Sequence, residues 1–123
     1  MNFSSFGIVN YAKDGSVFLS IEQDISDYYM SLIPKYIWTQ PTKYPAHITI
    51  VRGGVEKPNF LRWGLDNGAV YSYTYSPEIN KDGKYFYLNA FSLEIGLLRN
   101  SLGLEEFRKG FKEYHITIGR IKQ

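Results

Sequence analysis

The chain contains an internal repeat, and this repeat restricts its possible folds more than any other feature. The hexapeptide His-Ile-Thr-Ile-x-Arg occurs at 47–52 and again at 115–120. The tripeptide Lys-Asp-Gly occurs at 13–15 and again at 81–83, and the interval from its lysine to the following histidine is 34 residues in both copies. Such a repeat predicts two similar lobes related by a pseudo-two-fold axis, with equivalent strands facing each other across a groove.

Local patterns predict the same order of elements in the two repeat halves, about 13–52 and 81–120. Asp-Gly turns are typical of β-hairpins, N-cap residues mark helix starts, and Pro or Gly marks helix ends. A strand at 6–11 precedes the first half, in which these signals predict a strand at 16–21, a helix from the N-cap Asp24 to Pro34, and a strand at 46–51. A strand at 69–75 precedes the second half, in which they predict a strand at 84–88, a helix from the N-cap Ser92 to Gly103, and a strand at 114–121.

The composition is that of one globular domain, which we assign to residues 1–123. Hydrophobic residues make up 44% and charged residues 21% of the chain, so disorder is not expected. The chain has no cysteine, which excludes disulfides, Cys-ligated zinc and cysteine nucleophiles. Two histidines are too few for a three-His metal site, and we expect neither a metal nor a cofactor.

Charge and hydropathy favour a small substrate in the cytoplasm. The net charge of +2 is weak for a protein that grips a long phosphate backbone. The N-terminus lacks the basic and apolar regions of a signal peptide, and no stretch reaches transmembrane length. We therefore expect a small or short substrate, without long nucleic acid and without a membrane. Together with the side-chain chemistry of the repeated hexapeptide, described next, this predicts a small nucleotide or short oligonucleotide as the partner.

The repeated hexapeptide places chemically useful side chains on one face of a strand. Alternate residues of a strand share a face, so His47 and Thr49 point one way while Ile48 points into the core. The same holds for His115 and Thr117, and we expect all four polar side chains to converge in the groove. Histidine can act as base or acid near neutral pH, and threonine hydroxyls can hold phosphate oxygens. This set suits cleavage of a phosphodiester without a metal.

The segments PAHITI and YHITIGR, with the approach at 97–104, resemble the 2H phosphoesterase superfamily, which is named for its paired His-x-Thr/Ser motifs. The resemblance implies an α+β, bilobal fold in which two pseudo-symmetric lobes of antiparallel strands, each with an outer helix, flank a cleft. It also implies that His47 and His115 are the acid–base pair and that Thr49 and Thr117 hold the phosphate.

Substrates of that superfamily include 2′,3′-cyclic phosphates, ADP-ribose cyclic phosphates, 2′,5′-linked oligoadenylates and RNA ends. A viral branch, the anti-CBASS nucleases, is similar in using such a histidine pair to destroy cyclic oligonucleotide immune signals. For a viral protein of this kind the location would be the host cytoplasm.

Four further residues are candidates for substrate binding, each with a simpler structural interpretation beside it. Arg52 and Arg120 end the two hexapeptides, and adjacent glycines could permit a bulge that turns them toward a phosphate; otherwise they are solvated arginines. Tyr11 could stack on a base or be a half-buried strand residue. Trp38 could form an aromatic rim or anchor a packed loop.

The leading hypothesis is therefore a metal-independent phosphodiesterase, a hydrolase that acts on a small nucleotide by a two-histidine mechanism. One alternative is a nucleotide-binding module that sequesters its ligand without turnover. Another is a structural domain in which the repeat is only architectural. The residues leave open which phosphodiester is cleaved, which histidine is the acid, and the oligomeric state.

Overall fold

Two β-hairpins, each followed by a helix and a strand that carries one His-x-Thr pair, form most of the molecule. The structure is a computed structural model that describes residues 1–122. In chain order the elements are β1 (Phe3–Tyr11), β2 (Val17–Ser20), α1 (Gln23–Ser31), β3 (Thr39–Gln40), β4 (His47–Val51), a 3-10 turn (Phe60–Arg62), β5 (Val70–Asp82), β6 (Tyr85–Phe91), α2 (Leu93–Ser101) and β7 (Tyr114–Ile121).

All the strand pairings are antiparallel, and they close into a ring. The order across the sheet is β3-β7-β4-β2-β1-β5-β6, and β6 also pairs with β7. Six strands therefore form a closed barrel, and the short β3 extends one edge of β7 beyond β4. Because each half supplies three adjacent strands of the ring, the sequence repeat survives in the order of the elements.

The predicted bilobal α+β fold is wrong. The molecule is mostly sheet, a single closed six-stranded antiparallel barrel with two short helices. Three pairings join the halves directly, namely β1 with β5, β4 with β7 and the short β3 with β7. The pairing of β6 with β7 within the second half completes the ring. One hydrophobic cluster contains side chains from both halves, among them Ile48 and Ile116, so no cleft separates two lobes.

The helices begin and end largely where capping chemistry places them. Ser92 is the N-cap of α2, as predicted, and its side-chain oxygen accepts from the Ile95 N–H at 3.2 Å. Gly103 follows α2 with a φ of +78°, a left-handed conformation that favours glycine at a helix end. In contrast, α1 begins earlier than predicted, because Glu22 rather than Asp24 is its N-cap, and Glu22 makes no side-chain capping bond.

The first His-x-Thr strand, β4, contains a β-bulge. Thr49 pairs with Phe18 and Val51 pairs with Val17, so Ile50 is the extra residue. Both Ile50 and Val51 are buried. The extra residue shifts the inward–outward alternation by one position beyond this point.

The second His-x-Thr strand, β7, carries a bulge at the equivalent place. Thr117 pairs with Tyr87 and Gly119 pairs with Phe86, which makes Ile118 the extra residue. An ideal strand would point the arginine that ends each hexapeptide away from its histidine. In β7 the bulge reverses that, so Arg120 lies on the same side of the sheet as His115. Arg52 follows the end of β4 at Val51.

Within residues 1–122, no helix is long and apolar enough to cross a membrane.

Candidate active site

Both His-x-Thr pairs lie side by side on adjacent antiparallel strands. Ile48 of β4 is paired with Ile116 of β7, which places His47 opposite Thr117 and His115 opposite Thr49. Directly opposed residues have Cβ atoms about 4.5–5.5 Å apart, and diagonal neighbours such as the two histidines are about 7–8 Å apart. Each imidazole therefore has the other pair's hydroxyl directly across from it.

All four side chains line one pocket with a volume of about 150 Å³. They are partly buried, whereas Ile48 and Ile116 on the opposite face of the strands are fully buried. The remaining lining residues come from β4, α2, β7 and the loop before β7; they are Ile50, Arg99, Arg108, Phe111, Glu113 and Tyr114. The pocket is thus built by both halves, as a shared site requires.

The tautomer of His47 is fixed by the loop that precedes β4. Its Nδ1 lies 2.8 Å from the carbonyl oxygen of Pro45, and a carbonyl can only accept. Nδ1 therefore carries the hydrogen, and Nε2 is left to accept or deliver a proton. The edge of Phe18 contacts this imidazole, with ring centroids 5.8 Å apart.

His115, in contrast to His47, lies between two aromatic rings. Its ring centroid is 4.1 Å from that of Tyr87 and 5.5 Å from that of Phe111. Burial lowers the pKa of His115, opposed by the negative charges of Glu113 and Asp82 and assisted by the positive charge of Arg108. The net direction is downward, so the neutral imidazole is favoured.

A buried ion pair lies beneath the pocket. Arg99 of α2 is 1% exposed, and its guanidinium binds both carboxylate oxygens of Glu56 at 3.0 and 2.6 Å. It also donates to the carbonyl of Glu105 at 2.7 Å. Burial raises the pKa of Glu56, but hydrogen bonds from Arg99 and from the Arg52 N–H outweigh it, and the pKa is lowered overall. The carboxylate is therefore charged at neutral pH.

Each bulge is held by a helix from the other half of the chain. Arg99 of α2 donates to the carbonyl of Ile50, the extra residue in β4, at 2.5 Å. Ser26 of α1 donates through its hydroxyl to the carbonyl of Ile118, the extra residue in β7, at 3.4 Å. These hydrogen bonds occupy backbone acceptors that the bulges remove from the regular ladder.

Within residues 1–122, the residues that line the pocket do not include Tyr11 or Trp38. Tyr11 shares the buried face of β1 with Val9, and its ring packs edge-on against Trp63 at 4.9 Å. Strand alternation thus directs it away from the histidine face. Trp38 is 72% exposed, and its carbonyl accepts from the N–H of Lys122 at 2.7 Å, beside the end of β7.

Arg52 and Arg120 also lie outside the lining of the pocket. The side chain of Arg120 reaches across to β3, where the Gln40 amide is satisfied only with its oxygen toward Arg120; Nε and Nη2 then donate at 2.9 and 3.0 Å. Arg52 is exposed, and its carbonyl accepts from the N–H groups of Val55 and Glu56. The bulge in β7 turns Arg120 to the histidine side of the sheet without bringing it into the pocket, and Arg52 lies in the turn that follows β4.

Sequence reasoning missed Arg99, Arg108, Phe111 and Glu113, because they come from a helix and a loop with no motif. Arg99 did carry a signal, since a charged residue stands among the buried positions of α2 beside Leu98. No local signal marked Arg108 or Phe111, whose place depends on how the loop from α2 returns to β7.

Comparison with known proteins finds no matching protein family, no matching curated protein and no matching solved structure. Within residues 1–122, no three side chains of His, Cys, Asp or Glu are grouped closely enough to hold a metal ion. Function has therefore to be inferred from the chemistry of the pocket. Its distinctive content is two imidazoles and two hydroxyls on neighbouring strands.

Proposed function

We propose that this protein is a metal-independent phosphodiesterase that hydrolyses a small nucleotide by a two-histidine mechanism. The observation that carries the proposal is the meeting of both His-x-Thr pairs in one pocket on paired strands. The resemblance of the motifs to those of 2H phosphoesterases supports the same reaction. This support comes from the chemistry of the motifs alone, because the bilobal fold of that superfamily is not the fold of this chain.

His115 is the proposed general base. Burial lowers its pKa and favours the neutral imidazole, whose lone pair can take a proton from water or from a ribose 2′-hydroxyl. As that oxygen forms its bond to phosphorus, the bond from phosphorus to the leaving oxygen breaks. A site that can hold one reacting oxygen near each histidine permits the in-line arrangement this displacement needs.

His47 is the proposed general acid. Its Nδ1–H remains bound to the Pro45 carbonyl in either protonation state, so Nε2–H of the imidazolium can donate to the leaving oxygen. After one turnover His115 carries the extra proton and His47 has lost one. Exchange with solvent restores the starting state.

Thr49 and Thr117 are the proposed phosphate ligands. Each hydroxyl lies across the strand pair from the other motif's histidine, so the two can reach a phosphate held between the imidazoles. Their hydrogen bonds to non-bridging oxygens would orient the phosphorus and stabilise charge that develops in the transition state.

The pocket size supports a substrate with a single phosphodiester in the site. Its volume of about 150 Å³ is smaller than the ~300–1,000 Å³ of pockets that enclose a whole small-molecule ligand. This is enough for the scissile group, and the nucleoside parts would lie over the open rim. Cyclic nucleotides, cyclic oligonucleotide immune signals and 2′,3′-cyclic phosphates fit this description, with the cytoplasm as the proposed location.

The test is a substrate panel in the presence of a chelator. The panel contains 2′,3′-cyclic mononucleotides, 2′,5′- and 3′,5′-linked cyclic dinucleotides and trinucleotides, and a short RNA, with products identified by mass spectrometry. We expect cleavage of at least one small cyclic substrate that His47→Ala and His115→Ala abolish. Tyr28→Phe, an exposed change on α1, serves as the control.

Two results would overturn the proposal. Cleavage that survives in either histidine variant would exclude the paired mechanism. Stoichiometric binding with the ligand recovered intact would favour the sequestering module instead.

A further inference from the structure

The loop that leads from α2 into β7 places a cation in the pocket. Arg108 and Phe111 belong to this loop, and both line the pocket with His115. The guanidinium carbon of Arg108 lies 4.9 Å from the centroid of the Phe111 ring, and that ring in turn contacts His115 edge-on at 5.5 Å. Arg108, Phe111 and His115 thus follow one another in contact along one wall of the pocket.

The two pocket arginines differ in their partners. Arg99 is buried, and its donors are used by Glu56 and by two backbone carbonyls. The side chain of Arg108 is partly buried, yet it forms no ion pair and no hydrogen bond with any residue of the described range 1–122. Because stacking on Phe111 leaves the edge of the guanidinium free, its N–H donors remain available to a ligand.

We propose that Arg108, oriented by the ring of Phe111, binds a non-bridging oxygen of the substrate phosphate beside His115. This rests on the proposed function, and it assigns the ligand class as a phosphate mono- or diester anion. A planar guanidinium suits such oxygens because two parallel N–H donors match their spacing. Phe111 is a positioning residue, because its ring holds the guanidinium of Arg108 toward the pocket.

The proposed contact also completes the charge balance of the site. The phosphodiester brings a negative charge that Thr49 and Thr117 can bind by hydrogen bonds but cannot neutralise. Arg99 is already neutralised by Glu56. Arg108 is then the arginine of the pocket lining that forms no ion pair with a carboxylate of residues 1–122, although Glu113 also lines the pocket and offsets part of its positive charge. A guanidinium in this position would stabilise the negative charge of the substrate phosphate.

The first test measures anion binding without turnover. Inorganic phosphate and a nucleoside 3′-monophosphate are titrated by calorimetry into the unaltered chain, Arg108→Gln and Lys109→Gln. The neighbouring Lys109 is exposed, so its variant removes an equal charge outside the pocket. We expect Arg108→Gln to weaken binding on the order of 10- to 100-fold, as for a lost charged hydrogen bond, and Lys109→Gln to leave it nearly unchanged. Arg108→Lys should fall between them.

A second readout needs no ligand. The positive charge of Arg108 lowers the pKa of His115, so Arg108→Gln should raise the His115 pKa in an NMR titration. Lys109→Gln should not. Phe111→Leu should weaken phosphate binding less than Arg108→Gln does, and the two losses should not add, because both act through the same contact.

The outcomes separate this inference from the proposed function. Turnover that falls equally in Arg108→Gln and Lys109→Gln would overturn the role of Arg108 and leave the phosphodiesterase standing. Phosphate binding that depends on Arg108, in a chain that cleaves nothing, would keep the anion site and remove the enzyme. Failure of the unaltered chain to bind phosphate would overturn the anion site.

Discussion

The two halves of the molecule share their strands and differ in their loops. Phe18 and Tyr87 occupy equivalent places, each paired across from the threonine of its half's motif and each against that motif's histidine. The strands therefore set the same position for both imidazoles. The loops do not match: the first provides the Pro45 carbonyl, and the second provides Arg108 and Phe111.

The proposed reaction needs two histidines in different surroundings, because a base and an acid need different protonation states. One imidazole is bonded through Nδ1 to the Pro45 carbonyl, and the other is buried between Tyr87 and Phe111. On the proposed mechanism, the repeat places both histidines, and the surroundings that differ between the halves assign one as the acid and the other as the base.

The largest expected effect comes from removing either imidazole. His47→Ala and His115→Ala should each lower kcat/KM by about 10²–10⁴-fold, the usual contribution of a positioned acid or base. Steady-state kinetics on the cleaved substrate would measure this, with circular dichroism to establish folding. If one variant kept nearly full activity, the two histidines would not be equally required, and the proposed acid–base pair would be contradicted.

The next effect concerns the helices that hold the bulges. Arg99→Met should lower the free energy of unfolding by about 3–5 kcal/mol, because it leaves the buried Glu56 charge without a partner. Ser26→Ala in α1 should cost only about 0.5–1.5 kcal/mol, the usual net value of one hydrogen bond. Denaturant unfolding of both variants compares the two helix-to-bulge contacts, one made by Arg99 and the other by Ser26. Equal losses would show that the ion pair adds nothing to the bulge contact.

A third effect is the pH dependence that His115 contributes. Its pKa is lowered in the folded state, so the unfolded chain binds more protons as the pH falls below about 6.5. The contribution is fully present above that pH and is lost as the pH falls through the folded-state pKa. We expect the free energy of unfolding to decrease over this window, and His115→Asn to remove that part of the decrease. An identical pH profile in the variant would contradict the assignment.

The smallest effect compares the helix starts. Ser92→Ala should destabilise the protein by about 1 kcal/mol, because its side chain caps α2. Asp24→Ala should cost less, because Asp24 lies inside the first turn of α1 and is not its N-cap. Thermal unfolding of the two variants measures their loss of stability. A larger loss in Asp24→Ala than in Ser92→Ala would contradict the prediction.

Local sequence signals predicted the elements better than their assembly. Strand 114–121, the cap at Ser92 and the turn at Gly83 were predicted, because each depends on residues close in the chain. The extension of β5 to Asp82 was not, since it depends on pairing with β6. The ring itself depends on β1 meeting β5, and nothing in the alternation of either strand specifies which neighbour it takes.

The same division applies to the site. The alternation of His and Thr with Ile was sufficient to place four side chains on one face, and the structure brings those four into one pocket. Tyr11 was predicted either to stack on a base or to be a half-buried strand residue, and it is partly buried on the Val9 face, two residues from that core position in the same strand. Residues that reach the pocket from a loop, such as Arg108, have no periodicity from which to predict them.

The strand that carries His115 has no free edge, which governs how the site can open. β6 pairs along one side of β7, while β4 and β3 pair along the other. Six residue pairs join β7 to β6, but a single pair, Ile48 with Ile116, joins it to β4. Fraying of β3 or of the N-terminal end of β1 would leave the histidines in register. Separation of β4 from β7 is therefore the local opening that would take His47 out of register with Thr117, and amide exchange at this seam would report it.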